Sequence, residues 1–251
     1  MAYTETYINN DLSKLKTVLD TLVTNGIVGA LDYDTSGTLP IFKFYADAEK
    51  TTEVFRIEQT GGYSSGRCYK FKATAADGNY LDSTLGHAET SGHGLCGYNV
   101  MYGYSCENGV FVTFNPLAAL DGTMAYCYAC VIITKNQDGK PVFVWINSSA
   151  TGFVENQIKT NMNTEYIVCS TDKAPLSTLS RTSPASRAQT VLSPFFSCPE
   201  TGAASYTPFA GRILAGGISN LVTNARLSEI LFDSAIWLTN GYWALKVGDT
   251  V

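Results

Sequence analysis

The stretch Ala235-Ile236-Trp237-Leu238-Thr239-Asn240-Gly241-Tyr242-Trp243-Ala244-Leu245-Lys246-Val247 sets an Asn-Gly pair between two apolar, aromatic runs. Asn-Gly supplies the two positive-φ residues of a type I′ turn, whose twist matches that of antiparallel strands. The stretch therefore predicts a β-hairpin carrying two of the three tryptophans. So much apolar surface has to dock on the body of the chain or on a neighbour. Trp237, Tyr242 and Trp243 are expected to anchor such an interface, which points to assembly rather than catalysis.

Working outward, the 251 residues suffice for one large β domain or two ordinary domains. Hydrophobic residues make up 45%, as in an ordinary globular chain, but charged residues only 16%, against about 25% typically. Thr, Ser, Asn, Gly and 15 tyrosines take their place. Thr and Tyr suit pleated, half-buried surfaces, and Gly and Asn suit turns. This composition predicts β-structure and a surface that largely faces protein. Residues 1–125 carry 14 acids and 8 bases (−6), and residues 126–251 carry 8 acids and 9 bases (+1). Neither half has a basic stripe interleaved with aromatics, so no nucleic-acid partner is expected.

The seven cysteines are Cys68, Cys96, Cys106, Cys127, Cys130, Cys169 and Cys198. The N-terminus, Met1-Ala2-Tyr3-Thr4-Glu5-Thr6-Tyr7, has no basic start and no apolar core, so no signal peptide is expected. The thiols are then read as reduced in a cytoplasm, chiefly as small buried apolar groups. No run approaches the ~20 apolar residues of a membrane span.

The sequence divides into an N-terminal helical segment (1–27), a main β domain (28–169), a Ser/Pro-rich arm or long loop (170–212) and a C-terminal segment ending in the hairpin (213–251). Leu12, Leu15, Val18, Leu19 and Leu22 form one apolar stripe and predict a helix over 11–24. Asp11 or Ser13 can cap its start, and Asn25-Gly26 suits its stop. Period two then predicts strands at Ile41–Tyr45, Val54–Glu58, Cys68–Lys72 and, after an Asn108-Gly109 turn, Val110–Phe114. Residues 61–66 read as a loop, and 76–94 as irregular. Ala125–Thr134 and Pro141–Ile146 predict a second hairpin. The stretch 219–231 fits helix and strand equally. Within 170–212, Leu192, Phe195 and Phe196 are candidate interface residues, whether the segment folds over its own core or reaches another subunit.

His87, His93 and Cys96 make a loose three-ligand set without the tight spacing of a zinc site. Cys127-Tyr128-Ala129-Cys130 has CxxC spacing, but alternation in a strand-like run points the thiols to opposite faces. A Cys96 nucleophile with His93 or His87 as base would define a cysteine-dependent hydrolase, with loop glycines offering backbone N–H groups. Neither a G-x-S-x-G elbow nor a GK[ST] phosphate loop occurs. Asp32-Tyr33-Asp34 reads as a solvated pair. No catalytic residue, metal or other cofactor is assigned. Tyrosines among small polar residues also suit recognition surfaces, so Tyr98, Tyr102 and Tyr104 are candidate ligand contacts, with a glycan as the alternative partner; the competing reading is a β-core edge.

A leaderless start with a short helix, a low-charge Thr/Tyr/Asn-rich β body, a Ser/Pro arm and the closing Leu238-Thr239-Asn240-Gly241-Tyr242-Trp243-Ala244-Leu245 element together resemble virion structural proteins of tailed bacteriophages. The resemblance implies self-assembly in a neck, tail or baseplate, or in a related contractile particle. It implies contacts with other virion proteins, synthesis in a host cytoplasm and no catalytic residues. The expected fold is mainly β: an antiparallel sandwich or barrel-like domain with one N-terminal amphipathic helix and a long irregular arm, acting as a homo-oligomer. The rival classes are a carbohydrate-binding module and a cysteine-dependent hydrolase.

Overall fold

A computed structural model describes the backbone of residues 2–63, 66–74, 80–82, 98–116, 130–135, 139, 141–146, 166–168, 173–175, 193–194, 196–197, 207–208, 213–215, 226–232, 234–239 and 243–250. Within these, the protein is mainly β, antiparallel, with one helix. The first elements are β1 (Thr4–Tyr7), α1 (Leu12–Thr24), β2 (Ala30–Asp34), β3 (Ile41–Tyr45), β4 (Glu53–Tyr63), β5 (Gly66–Thr74) and β6 (Tyr80–Asp82). There follow β7 (Tyr98–Cys106), β8 (Gly109–Pro116), β9 (Cys130–Lys135), β10 (Pro141–Ile146), β11 (Tyr166–Val168) and β12 (Lys173–Pro175). The rest are β13 (Ser193–Pro194), β14 (Phe196–Ser197), β15 (Thr207–Pro208), β16 (Ile213–Ala215), β17 (Ser228–Phe232), β18 (Ala235–Thr239) and β19 (Trp243–Asp249).

The large sheet runs β12-β11-β10-β9-β8-β7-β5-β4-β3-β2, with β1 added to β7 and β6 to β5. Its path is open at both ends among the described residues, so no barrel closes there. A second sheet runs β13-β16-β19-β18-β17, and β14 pairs with β15.

The apolar stripe of α1 decides where the core lies. Asp11 caps the helix, accepting the N–H of Ser13 at 3.0 Å and of Lys14 at 3.4 Å, and Gly26 at φ +63° follows its end. Leu15, Val18, Leu19 and Leu22 are buried against Val110, Val112, Phe114, Val131 and Ile133 of the large sheet. Alternation sends Phe111, Cys130 and Ile132 to the opposite face, where they join Tyr104 and Cys106 against Leu238, Leu245 and Val247 of the second sheet and Leu227 just before it. The middle strands are thus covered on both faces, which explains their nearly unbroken apolar sequence.

Strand β7 changes face midway. Val100 pairs with Phe114 and Tyr102 with Thr113, leaving Met101 as an extra residue. Val100 therefore packs on the helix side, while Tyr102 and Tyr104 lie on the other. Asn10 holds this bulge: its N–H donates to Val100 O, and its Oδ1 accepts the Val100 N–H, each at 2.8 Å.

Three expectations need correction. Gly61–Tyr63 and Gly66 belong to β4 and β5 rather than to a loop; the register shifts between Thr60 and Tyr63, where two glycines accommodate the irregularity. Tyr80–Asp82, inside the stretch read as irregular, forms a strand on β5; most of 76–94 lies outside the described residues. The final hairpin forms, but Thr239 pairs with Ala244 and Leu238 with Leu245. Four residues lie between Thr239 and Ala244, where a type I′ turn on Asn240-Gly241 would leave two; Asn240, Gly241 and Tyr242 themselves lie outside the described residues. The strands thus pair two residues away from the register of a two-residue turn, a slip that keeps every side chain on its face. The ambiguous stretch before it holds strand β17, and residues 216–225 lie outside the described set.

Candidate functional site

The chemistry-bearing side chains gather where β1, β7 and the start of the second sheet meet. Tyr7 and Tyr102 are cross-strand partners, with ring centroids 5.1 Å apart. Tyr102 also lies 6.2 Å from Tyr104, and Tyr104 6.2 Å from Tyr3, so four rings form a row with Tyr104 its most buried member. Tyr7 is 49% exposed, whereas Tyr104 is 1% exposed. The Tyr104 hydroxyl accepts the N–H of Leu227 at 2.9 Å. Burial pushes its pKa well above the ordinary tyrosine value, against the opposing pull of that N–H. Of the three tyrosines singled out from the sequence, then, Tyr104 is an enclosed structural group rather than an open ligand contact. Tyr102 is half-buried beside it, and Tyr98 pairs through its backbone with Arg67 and Pro116.

One row along the same face, Glu5 is the cross-strand partner of Tyr104. Its carboxylate receives Arg226 Nε–H at 3.1 Å, and Arg226 Nη2 lies 3.0 Å from Oε1. This two-point pairing raises the Arg226 pKa further, and Arg226 itself stays 64% exposed. Tyr3 is held above its ordinary pKa by burial and by the charge of Glu229. The N-terminal strand is thereby clasped to the entry of the second sheet.

The expected interface residues fare differently. Trp237 is 4% exposed and packs with Ala235, Ala244 and Ile230 on the second sheet's outer face, so its ring is buried within the chain rather than left open for a partner. Trp243 pairs through its backbone with Ala215, and Phe196 with Pro208. Tyr242, Leu192 and Phe195 lie outside the described residues. Among the described residues the most exposed large hydrophobic side chain is that of Leu231, at 70%, ahead of Tyr7 and Val23; it lies on β17, at the end of the described strand order of its sheet.

His87, His93, Cys96 and Cys127 also lie outside the described residues. Cys130 is buried opposite Thr113, and Cys106 is buried near the Asn108-Gly109 turn. Among the described residues no three His, Cys, Asp or Glu side chains gather as a metal site. Asp32 pairs with Lys50 and Asp34 with Lys43, the latter at 2.8 Å. Lys43 and Ser36 hold the Asp34 carboxyl far below the usual range, so this pair is a surface ion-pair network. No described helix is long and apolar enough to cross a membrane.

No protein-family model, curated protein or solved structure matches this chain. The site rests on its own geometry. Tyr7, Glu5, Arg226 and Leu231 escaped the sequence reading. Tyr3-Thr4-Glu5-Thr6-Tyr7 carries strand-forming residues, a signal available locally, but the Glu5–Arg226 pairing spans 221 positions.

Proposed function

We propose that the chain is a structural, self-assembling component of a phage virion or phage-tail-like particle, such as a neck, tail or baseplate. It acts through protein–protein contacts, as a homo-oligomer and with other particle proteins, and performs no catalytic step. Leu231 is the observation that carries this reading. An apolar side chain 70% exposed on an edge strand, beside half-buried Ile230, invites pairing with another strand. The occupant is β17 of a second copy, related by a two-fold axis, so that the two five-stranded sheets continue across the contact.

The low-charge composition and the sequence resemblance supply the particle class. In this reading the two sheets that meet through Phe111, Ile132, Leu238 and Leu245 are the layers of a sandwich. The 170–212 segment serves as the arm, and Trp243, Tyr242, Leu192, Phe195 and Phe196 extend the contact surface. Amide hydrogen exchange over 228–232 tests the edge directly: it should slow as protein concentration rises. Exchange there that is independent of concentration would remove β17 from the contact.

A further inference from the structure

We propose that Tyr7, Tyr102, Glu5 and Arg226 form a surface patch that binds a neutral sugar ring. The patch does not depend on the assembly reading.

Two features favour a sugar. The first is the aromatic shelf. Tyr7 and Tyr102 are in ring contact at 5.1 Å, tilted by 45°, with Tyr7 half exposed at 49% and Tyr102 half-buried. An aromatic face is electron-rich, and the C–H bonds on one face of a sugar are made electropositive by its hydroxyls, so the two surfaces attract. The second is a planar polar pair beside the shelf. Glu5 and Tyr7 share a strand face two residues apart, about 7 Å along β1. Arg226 reaches the Glu5 carboxylate through Nε and Nη2 at 3.1 and 3.0 Å, which leaves further guanidinium N–H groups and carboxylate lone pairs. A sugar hydroxyl both donates and accepts, so it can address this pair at either group. The two-point contact fixes both planes beforehand, which lowers the ordering cost on binding.

The charge balance selects the class of sugar. Arg226 and Glu5 cancel, so the patch offers no net positive charge to a carboxylated or sulfated glycan. Glu5 and Tyr7 stand opposite Tyr104 and Tyr102 on one face of β1 and β7, which joins the shelf and the ion pair into one surface.

The full-length chain should be applied to an array of neutral and anionic glycans, and any neutral hit carried to calorimetry. Tyr7→Ala and Arg226→Ala should each weaken binding by about tenfold or more, with circular dichroism melting recorded for each. Lys16→Ala, on the exposed side of α1, should bind as the parent does. Neutral-glycan binding that falls in both variants while melting is retained supports the patch. Should either variant unfold, Tyr7→Phe and Arg226→Lys replace them: Tyr7→Phe keeps the ring and should retain binding, whereas Arg226→Lys loses the planar fork and should weaken it. No binding to any neutral glycan, binding to anionic glycans alone, or full binding by a folded Tyr7→Ala would each overturn the proposal.

Discussion

A Cβ placed on Gly103 would lie 2.8 Å from Cγ1 of Val18. Ile8 Cδ1 would be 3.0 Å away, so β7 and α1 approach as closely as backbone and side chain allow. Val18 has a stiff, β-branched side chain in a buried stripe and has little room to move. Gly103→Ala is expected to destabilise by about 1–3 kcal/mol through overpacking. It should appear as a lower urea midpoint with an unchanged slope. A midpoint equal to the parent's would mean that α1 shifts at no cost.

The Leu227 N–H ends on the Tyr104 hydroxyl at 2.9 Å. Tyr104→Phe removes the acceptor but keeps the ring, leaving a buried donor without its partner. The expected loss is about 1–3 kcal/mol in chemical denaturation. The raised Tyr104 pKa also sets a pH trend. Above the unfolded-state pKa of about 10 the unfolded chain gives up this proton before the folded chain does, so stability falls as pH rises. The phenylalanine variant should lose less stability than the parent above that pH. An equal alkaline slope in the two proteins would remove Tyr104 as its source.

Thr113 is buried on the face towards the second sheet, and among the described residues its hydroxyl finds no hydrogen-bond partner. Thr113→Val keeps the shape and removes the unmet polar group. A gain of about 1 kcal/mol is expected, read as a higher urea midpoint. A loss would show instead that an internal water satisfies the hydroxyl.

Acid acts on the β2–β4 corner. Asp47 accepts the N–H groups of Thr51 and Thr52 at 2.8 Å each, and these bonds hold its pKa low. Asp34 is held low chiefly by Lys43. Their contribution is present above the ordinary aspartate pKa of about 4 and is lost as pH falls through the depressed values. Denaturation midpoints measured at falling pH should drop less steeply in an Asp34→Asn, Asp47→Asn variant than in the parent. Parallel curves would contradict this assignment.

Local signals were readable where they agreed with one another. In α1 the cap Asp11, the stripe from Leu12 to Leu22 and the stop at Asn25-Gly26 all give the same bounds. The pairing of Pro141 with Lys135 realises the second hairpin for the same reason: two apolar strands flank a polar turn. Where signals conflicted, the tertiary one won. Asn240-Gly241 favoured a two-residue turn, yet the strands pair two residues away from that register. The double glycine at 61–62 read as a loop, but pairing on both sides keeps it in a strand. The site was less legible than the fold. Tyr102 was identified, but the facing of β7 turns on a single bulge at Met101, which sends Val100 to the helix side and Tyr102 and Tyr104 to the other. Glu5 and Arg226 meet only because the second sheet lands on β1, a relationship no local pattern encodes.

Assembly is the central claim, and the mass of the particle in solution tests it most directly. Size-exclusion chromatography with light scattering, run over a concentration series, should give the parent a mass that is a multiple of 27.1 kDa. Leu231→Lys, which places a charge on the β17 edge, should shift that mass downwards while the protein stays folded. A parent that remains at 27.1 kDa at every concentration would contradict the account.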